Sequence, residues 1–402
     1  MVPEGWKIGK LRELSSKIGS GITPKGGRET YLDEGIPLIR SQNVGWGKLM
    51  LDDVAFIDER QHDSMSGSKV RHGDVLLNIT GASIGRSAIY QGDDNAANVN
   101  QHVCIIRAKP TLSPEYLKAV LISDGGQKQI EQFQAGGNRQ GLNFEQIGSF
   151  AILLPPLPEQ QKIAEILGTW DKAIETTEAL LANARTQKRA LMQSLLTGTR
   201  RFPGFEDHPW REVRLGDVVA GIPGGGTPDK GNPSFWGGDL PWVSVKDLKS
   251  TVLTQTQDTI TEAGLSSSAT NAFPAGTIVM ATRMAVGSCA ILGARMAINQ
   301  DLKAIIPNDL ILNRYLFHCL QMSQDALATL GTGSTVKGIT LDLLRELRIG
   351  LPGNKNEQAK ISDAIDCAEH EVSALQSDLY HLRTEKKSLM QQLLTGKGRV
   401  VV

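Results

Sequence analysis

The sequence is poor in residues that announce a chemistry. Four cysteines stand in 402 residues, Cys104, Cys289, Cys319 and Cys367, and no two form a CxxC pair. That excludes a zinc ribbon or thioredoxin-like motif and gives no disulfide framework, so a reduced cytoplasm is the expected compartment. Aromatic residues make up 5% of the chain, and no apolar run approaches a membrane span. Met1–Trp6 shows no basic stretch leading into an apolar one, so no secretory leader is expected. Charge of either sign is not in excess: 43 basic side chains face 43 acidic ones, and residues 1–155 hold 17 of each. A free-standing nucleic-acid binder usually carries a basic surplus. A DNA-binding role for this chain therefore requires charge sorted onto faces, or a partner that supplies the positive field.

Enzyme signatures are also missing. There is no GxxxxGK[ST] phosphate loop, no GxGxxG between a strand and a helix, no HExxH and no [DN]PP[YF]. Gly81-Ala82-Ser83-Ile84-Gly85 matches the GxSxG nucleophile elbow. However, the segment after it, Arg86–Tyr90, reads as a strand where that motif needs a helix. The last glycine fits a turn requiring positive φ. Pro228-Asp229 with Asp247-Leu248-Lys249 resembles the PD…(D/E)xK arrangement that holds Mg²⁺ in nucleases. A second occurrence of the pattern, described next, argues against both.

What the chain does have is a repeat. Trp6–Leu14 returns as Trp210–Val218, and Leu195-Leu196-Thr197-Gly198 returns as Leu393-Leu394-Thr395-Gly396. The offset is 204 residues at Trp6/Trp210 and Thr23-Pro24/Thr227-Pro228, 199 at Asn100-Gln101/Asn299-Gln300, and 198 from Glu159-Gln160/Glu357-Gln358 onward. A period this long is a duplicated half-molecule, not a solenoid unit. The edges of each copy stay in register, and the middles drift. The counterpart of the GxSxG turn reads Met284-Ala285-Val286-Gly287 and has lost the serine. The counterparts of Asp229 and the Asp247 triplet are Lys25 and Asn43-Val44-Gly45, which cannot bind a metal.

Each copy divides into two textures. Residues 1–155 and 201–352 alternate short apolar runs with glycine-rich turns, as in Asp74–Thr80 and Gln101–Arg107, and read as β-rich α+β domains with a curved sheet. One helix is expected over 114–133 and one over 312–330. Residues 156–200 and 353–402 read as long helices. Their seams place Ile163, Leu167, Trp170, Ile174, Thr177, Leu181, Ala184, Lys188, Leu191 and Leu195 in the first. The second has Ile361, Ile365, Ala368, Val372, Leu375, Leu379, Leu382, Lys386, Leu389 and Leu393. Steps of four and three alternate throughout, which is a heptad pattern. Every seam position of the second helix lies 198 residues after its counterpart. Pro158 suits a helix start, and Gly198 and Gly396 suit helix stops. Because the connector Thr199–His208 is short, the second helix must run back along the first. The pair is therefore expected to form an antiparallel coiled coil with pseudo-twofold symmetry and a globular domain at each end.

The drifting loops supply polar groups suited to DNA. Arginine can read guanine and Asn or Gln adenine through paired hydrogen bonds, while lysine and hydroxyls suit phosphates. The candidates in the first copy are Lys25, Arg28, Arg40, Ser41, Asn43, Arg86, Asn138, Arg139, Gln140 and Asn143. Those in the second are Lys230, Lys246, Arg283, Thr335 and Lys337.

The order of parts resembles the specificity subunit of type I restriction–modification systems. The residues that carry the resemblance are Pro3–Trp6, Ile36–Arg40, Leu154–Gln160 and Leu393–Lys397, and it covers essentially the whole chain. The second copy departs from the pattern at Leu351–Gln358, where a proline pair is lost. The resemblance implies a non-catalytic subunit in which each globular domain reads half of a bipartite double-stranded DNA site. It implies that the paired helices act as a ruler and dock two methyltransferase subunits, and that two restriction subunits join them. S-adenosylmethionine, ATP and Mg would reside on those partners, with no cofactor or metal on this chain. The alternatives are a nuclease using Asp229, Asp247 and Lys249, and a coiled-coil adaptor that does not touch DNA. Because the two copies differ in their candidate loops, an asymmetric site is expected. A helix of about 38 residues, roughly 57 Å long, limits the half-site separation to roughly 17 base pairs.

Overall fold

The computed structural model describes residues 2–24, 26, 30–134, 141–330 and 338–400. It divides into two units, one formed by residues 1–178 and 377–402, the other by residues 179–376.

In the first unit a four-stranded sheet runs Ser15–Ser20, Val103–Ala108, Val75–Asn78, Ser87–Ile89, all neighbours antiparallel. A three-stranded sheet places Ile36–Ile39 between Ala55–Ile57 and Asn98–Val99, and Lys7–Lys10 pairs with Ala151–Leu154. The expected single curved sheet is thus three sheets, because the chain leaves one at Val99 and enters the next at Val103. The central strands are largely apolar, with only Asn78 and Arg107 polar, because both their faces are covered. Val75, Leu77, Cys104 and Ile106 point into a core shared with the helices. Leu76, Val103 and Ile105 point to the opposite core with Ile39, Val44 and Val99. This is the period-two alternation of a strand, buried on both sides.

The second unit repeats the plan. Ile278–Ala281 lies between Leu302–Pro307 and Cys289–Leu292, Trp236–Val243 organises a second sheet, and Trp210–Arg214 pairs with Arg348–Pro352. Ile278, Met280 and Ile305 face one core, and Val279, Ala281, Leu302 and Ala304 the other.

Each helix expected after the sheet is two helices. Pro114–Ile122 is followed by Asp124–Gln134, and Asn313–Met322 by Gln324–Leu330. The break falls on a serine in each copy. Ser123 is extended, and its Oγ accepts from the Gly126 amide at 3.2 Å. A Cβ on Gly126 would stand 2.2 Å from the Val120 carbonyl oxygen, so the second helix turns back closely on the first.

The long helices are Leu157–Leu196 and Lys355–Leu394, 40 residues each and in the same register 198 residues apart. The lost proline pair does not move the second start. Asn354 takes over, its Oδ1 accepting from the Asn356 amide at 2.9 Å. Both stops are left-handed glycines, Gly198 at φ +74° and Gly396 at φ +69°. The helices run antiparallel. In the first unit Ile163 and Leu167 share a core with Met390, Leu393 and Leu394. In the second, Met192, Leu195 and Leu196 share one with Ile361 and Ile365. Leu181, Val372 and Leu379 are buried, and Trp170, Ile174, Leu191, Leu375, Leu382 and Leu389 are half-buried, so no seam position named from the sequence is exposed.

The two lysines that break the apolar seam meet acids on the facing helix. Lys188 pairs with Glu369, and Lys386 with Asp171. The Glu-Gln step repeated at each helix start ties helix to globular fold. Gln160 Nε2 donates to the Thr111 and Pro155 carbonyls while its Oε1 accepts from the Ser113 amide. Gln358 does the same with Leu310, Pro352 and Leu312. Glu159 accepts from Trp6 Nε1 at 3.1 Å and from the Arg399 guanidinium at 2.7 and 3.0 Å. In the second unit Glu357 takes Arg201 at 2.9 and 2.7 Å. Each arginine also covers an indole, Arg399 over Trp6 at 5.7 Å and Arg201 over Trp210 at 5.5 Å.

Candidate nucleic-acid interface

The sequence candidates separate into free and committed side chains. Lys230 and Lys246 are exposed with no partner among the described residues, and the half-buried Arg86 side chain likewise has none. Arg40 lies over the Tyr31 ring at 5.3 Å and donates to the Asp53 carbonyl at 3.3 Å, and Ser41 beside it is half-buried.

Two candidates take other roles. Asn43 is buried: its Oδ1 accepts from the Arg40 amide, and its Nδ2 donates to the Met50 and Asp53 carbonyls. With its amide committed to the turn it has nothing left for a base, and the exposed group beside it is Gln42. Asn143 is the N-cap of the helix Phe144–Gly148, its Oδ1 accepting from the Gln146 amide at 2.8 Å. Lys25, Arg28, Asn138, Arg139, Gln140, Thr335 and Lys337 lie outside the described residues.

The motifs set aside on the repeat have plain structural uses. Gly85 and Gly287 both sit at φ +86°, and Ser87–Ile89 is a strand. Asp247 is buried. Its Oδ2 accepts from the Ser244 amide and hydroxyl, and its Oδ1 from the Gln257 amide. Among the described residues no His, Cys, Asp and Glu cluster could hold a metal ion. The sulfhydryls of Cys104, Cys289 and Cys319 are pushed up to about 12 by burial, which keeps them protonated.

A second group of polar residues gathers at the turn between the two larger sheets of each unit. In the first it is Asn100-Gln101-His102. Gln101 Oε1 accepts from the Thr23 hydroxyl, Gln101 Nε2 lies 3.1 Å from His102 Nε2, and His102 Nδ1 lies 2.6 Å from Thr80 Oγ1. In the second it is Asn299-Gln300-Asp301. Gln300 accepts from the Thr227 hydroxyl, and Asp301 faces Arg283 at 3.8 Å. Glycine brings the threonine segment this close. A Cβ on Gly21 would stand 1.6 Å from the Val99 carbonyl oxygen, and one on Gly225 would stand 1.9 Å from that of Ile298.

A family model described as "Type I restriction modification DNA specificity domain" matches residues 3–184 and again 207–376. The chain belongs to the type I restriction–modification specificity family. Among its relatives is the putative type I restriction enzyme MjaX specificity subunit of Methanocaldococcus jannaschii, 23% identical over 99% of this chain and 95% of the relative. The EcoR124I/EcoR124II specificity subunit of Escherichia coli is 35% identical over 57% of each. Two solved structures share the fold. One is from a study of assembly and conformational transition of a type I restriction–modification system, with TM-score 0.60, 22% identity and 98% of each chain covered. The other is the S subunit from M. genitalium, with TM-score 0.62, 14% identity, and 98% of this chain and 96% of that one covered.

As a specificity subunit, the chain is a non-catalytic member of its system. Sequence reasoning did not name the Gln101/Gln300 and Thr23/Thr227 pairs among its candidates. The signal was present, since both pairs are repeated in the two copies, but repetition marked them as frame. Their mutual contact emerges only when the sheets bring residues about 75 positions apart together.

Proposed function

We propose that this specificity subunit reads an asymmetric bipartite site on double-stranded DNA, one half with each globular repeat. The long helices dock two methyltransferase subunits, and restriction subunits join through them. S-adenosylmethionine, ATP and Mg belong to those partners, and the assembly works in the cytoplasm. One observation carries the reading: each repeat presents the same Thr–Gln pair on the same turn, beside side chains that differ between repeats. A repeated contact suits the DNA backbone, which is the same at every site, and differing neighbours suit bases. The balanced charge fits a chain whose phosphate clamp is completed by partner subunits, so its binding alone is weak and salt-sensitive.

The test is co-production with a methyltransferase partner and mapping of methylated sites by sequencing. The reading expects a two-part, non-palindromic sequence. Replacing residues 1–155 by the corresponding domain of another family member should change one half and leave the other. A palindrome, or an unchanged sequence after the exchange, would overturn it. Inserting one heptad into both long helices should lengthen the tolerated spacer, and an unchanged spacer would remove the ruler.

A further inference from the structure

The turn between the sheets can be compared residue by residue, because backbone bonds fix the correspondence. Ile79 donates to the His102 carbonyl at 3.0 Å, and Thr282 donates to the Asp301 carbonyl at 2.9 Å. Thr80 and Arg283, next along each strand, form isolated bridges to Gly141 and Gly338. Asn100 and Asn299 each hold the turn by accepting from the amide two residues on, at 3.1 Å in both. Arg283 and Asp301 therefore occupy the places of Thr80 and His102. The scaffold is duplicated and the two side chains it displays are exchanged.

The following residue is exchanged too, at a cost. Gly81 has φ +71°, a backbone conformation glycine adopts freely. Its counterpart is Met284, with φ +65° and 66% exposed. A left-handed methionine is strained, because its Cβ crowds the following carbonyl oxygen, and this one buries little in return. Strain kept by an exposed apolar side chain, where the twin position uses glycine, is an observation from which function can be inferred.

We infer that Arg283, Asp301 and Met284 form the base-reading element of the second repeat. Arg283 selects a guanine by donating to its O6 and N7, Asp301 orients the guanidinium, and Met284 makes apolar contact with the neighbouring base. This rests on the DNA-reading function proposed above. A guanidinium is planar and presents its donors as a fork that matches the two acceptors on guanine. Asp301 sits beside it, and its Oδ2 is held by Asn299 Nδ2 at 3.3 Å, which fixes the carboxylate. The first repeat, with Thr80 and His102 in these places, lacks the fork and selects a different base there. Gln101 and Gln300, paired with their threonines in the same way, set register on the backbone and do not discriminate.

The test uses the complex with its methyltransferase partner and reads methylated sites by sequencing. Arg283→Ala and Arg283→Lys should each relax one base pair of one half-site by roughly ten- to a hundred-fold, leaving the other half intact. Met284→Gly should raise the thermal midpoint while weakening the same half-site. Gln300→Ala should lower methylation at all sites without changing the sequence. If folded Arg283 variants keep the wild-type sequence at full stringency, the assignment is overturned. If Met284→Gly leaves recognition unchanged, methionine has no reading role. Failure of the underlying reading is a separate result: the wild-type complex would then methylate a sequence that does not follow exchange of this chain's domains.

Discussion

Lys188 on the first long helix pairs with Glu369 on the second, and the residues 198 positions on from Lys188 and back from Glu369, Lys386 and Asp171, pair with each other. The contact is reciprocal: each helix gives one lysine and one acid to the other. All four side chains are partly buried, so a slipped register would leave a lysine against leucines. Charges placed inside a seam specify pairing more than they strengthen it.

Reversing one of these charges tests that role. Lys188→Glu sets two acids together and should lower stability by about 1–3 kcal/mol, read as a lower urea midpoint. Adding Glu369→Lys restores the pair in opposite polarity and should recover most of the loss. If the double variant is no better than the single, the pair contributes packing alone.

The tryptophan–glutamate–arginine clasps should differ in strength. The Glu357 side chain is fully buried and Arg201 is 14% exposed, whereas Arg399 is 46% exposed beside Glu159 at 5%. Arg201→Ala leaves an uncompensated buried carboxylate and should cost about 3–5 kcal/mol. Arg399→Ala should cost clearly less, since water reaches its site and screens the pair. Equal losses in thermal denaturation would contradict this ordering.

Stability should fall in mild acid through His318. This residue is 2% exposed, and burial pushes it down to about 4, opposed by a hydrogen bond with Gln321 and by Glu369, with Lys188 and Arg314 acting with burial. Asp366 lies 2.9 Å from the His318 Nε2 and favours the charged ring, so it too opposes burial, and burial wins. The folded chain holds it neutral, while the unfolded chain takes up a proton near 6.5. The contribution is therefore fully present above about pH 6.5 and is lost as pH falls towards 4. His318→Leu should flatten the drop in urea midpoint across that window. An unchanged slope would assign the acid sensitivity to other groups.

The glycines packed against the sheet-to-sheet turn should be indispensable. Gly21→Ala and Gly225→Ala each drive a methyl into a carbonyl oxygen of the adjoining strand, and should lower the thermal midpoint by several degrees or prevent folding. Gly5→Ala is the contrast, with open space around its Cβ position but φ +77°, and should cost only backbone strain of about 1–2 kcal/mol.

The frame of the molecule was legible because its signals are periodic and repeated. The heptad seams, the left-handed glycine stops and the antiparallel direction follow from spacing and connector length. The split of each middle helix was not legible. Ser123 and Ser323 tolerate a helix interior, and only the close return of the next helix decides against one. The proposed reading surface was half legible. Arg283 is exposed, but Asn43 and Asn143, chosen as candidates for the same polar chemistry, spend it on a turn and a cap. Which asparagine is free depends on which backbone amides lie within reach, and composition carries no record of that.

The clasp of the first repeat draws its arginine from beyond the second long helix, and the clasp of the second repeat draws its own from beyond the first. Neither repeat completes itself. Each is finished by whatever follows the other's Leu-Leu-Thr-Gly stop, and the two followers, Arg201 and Arg399, make the same contacts. The halves should therefore be interchangeable in order: a chain encoding the second half before the first should find the same closures, and so should one joining the first half to a foreign second half with the same ends. Such a molecule can be recombined at its stops, as a clasped pair of pages can be re-bound, without re-solving how to fold.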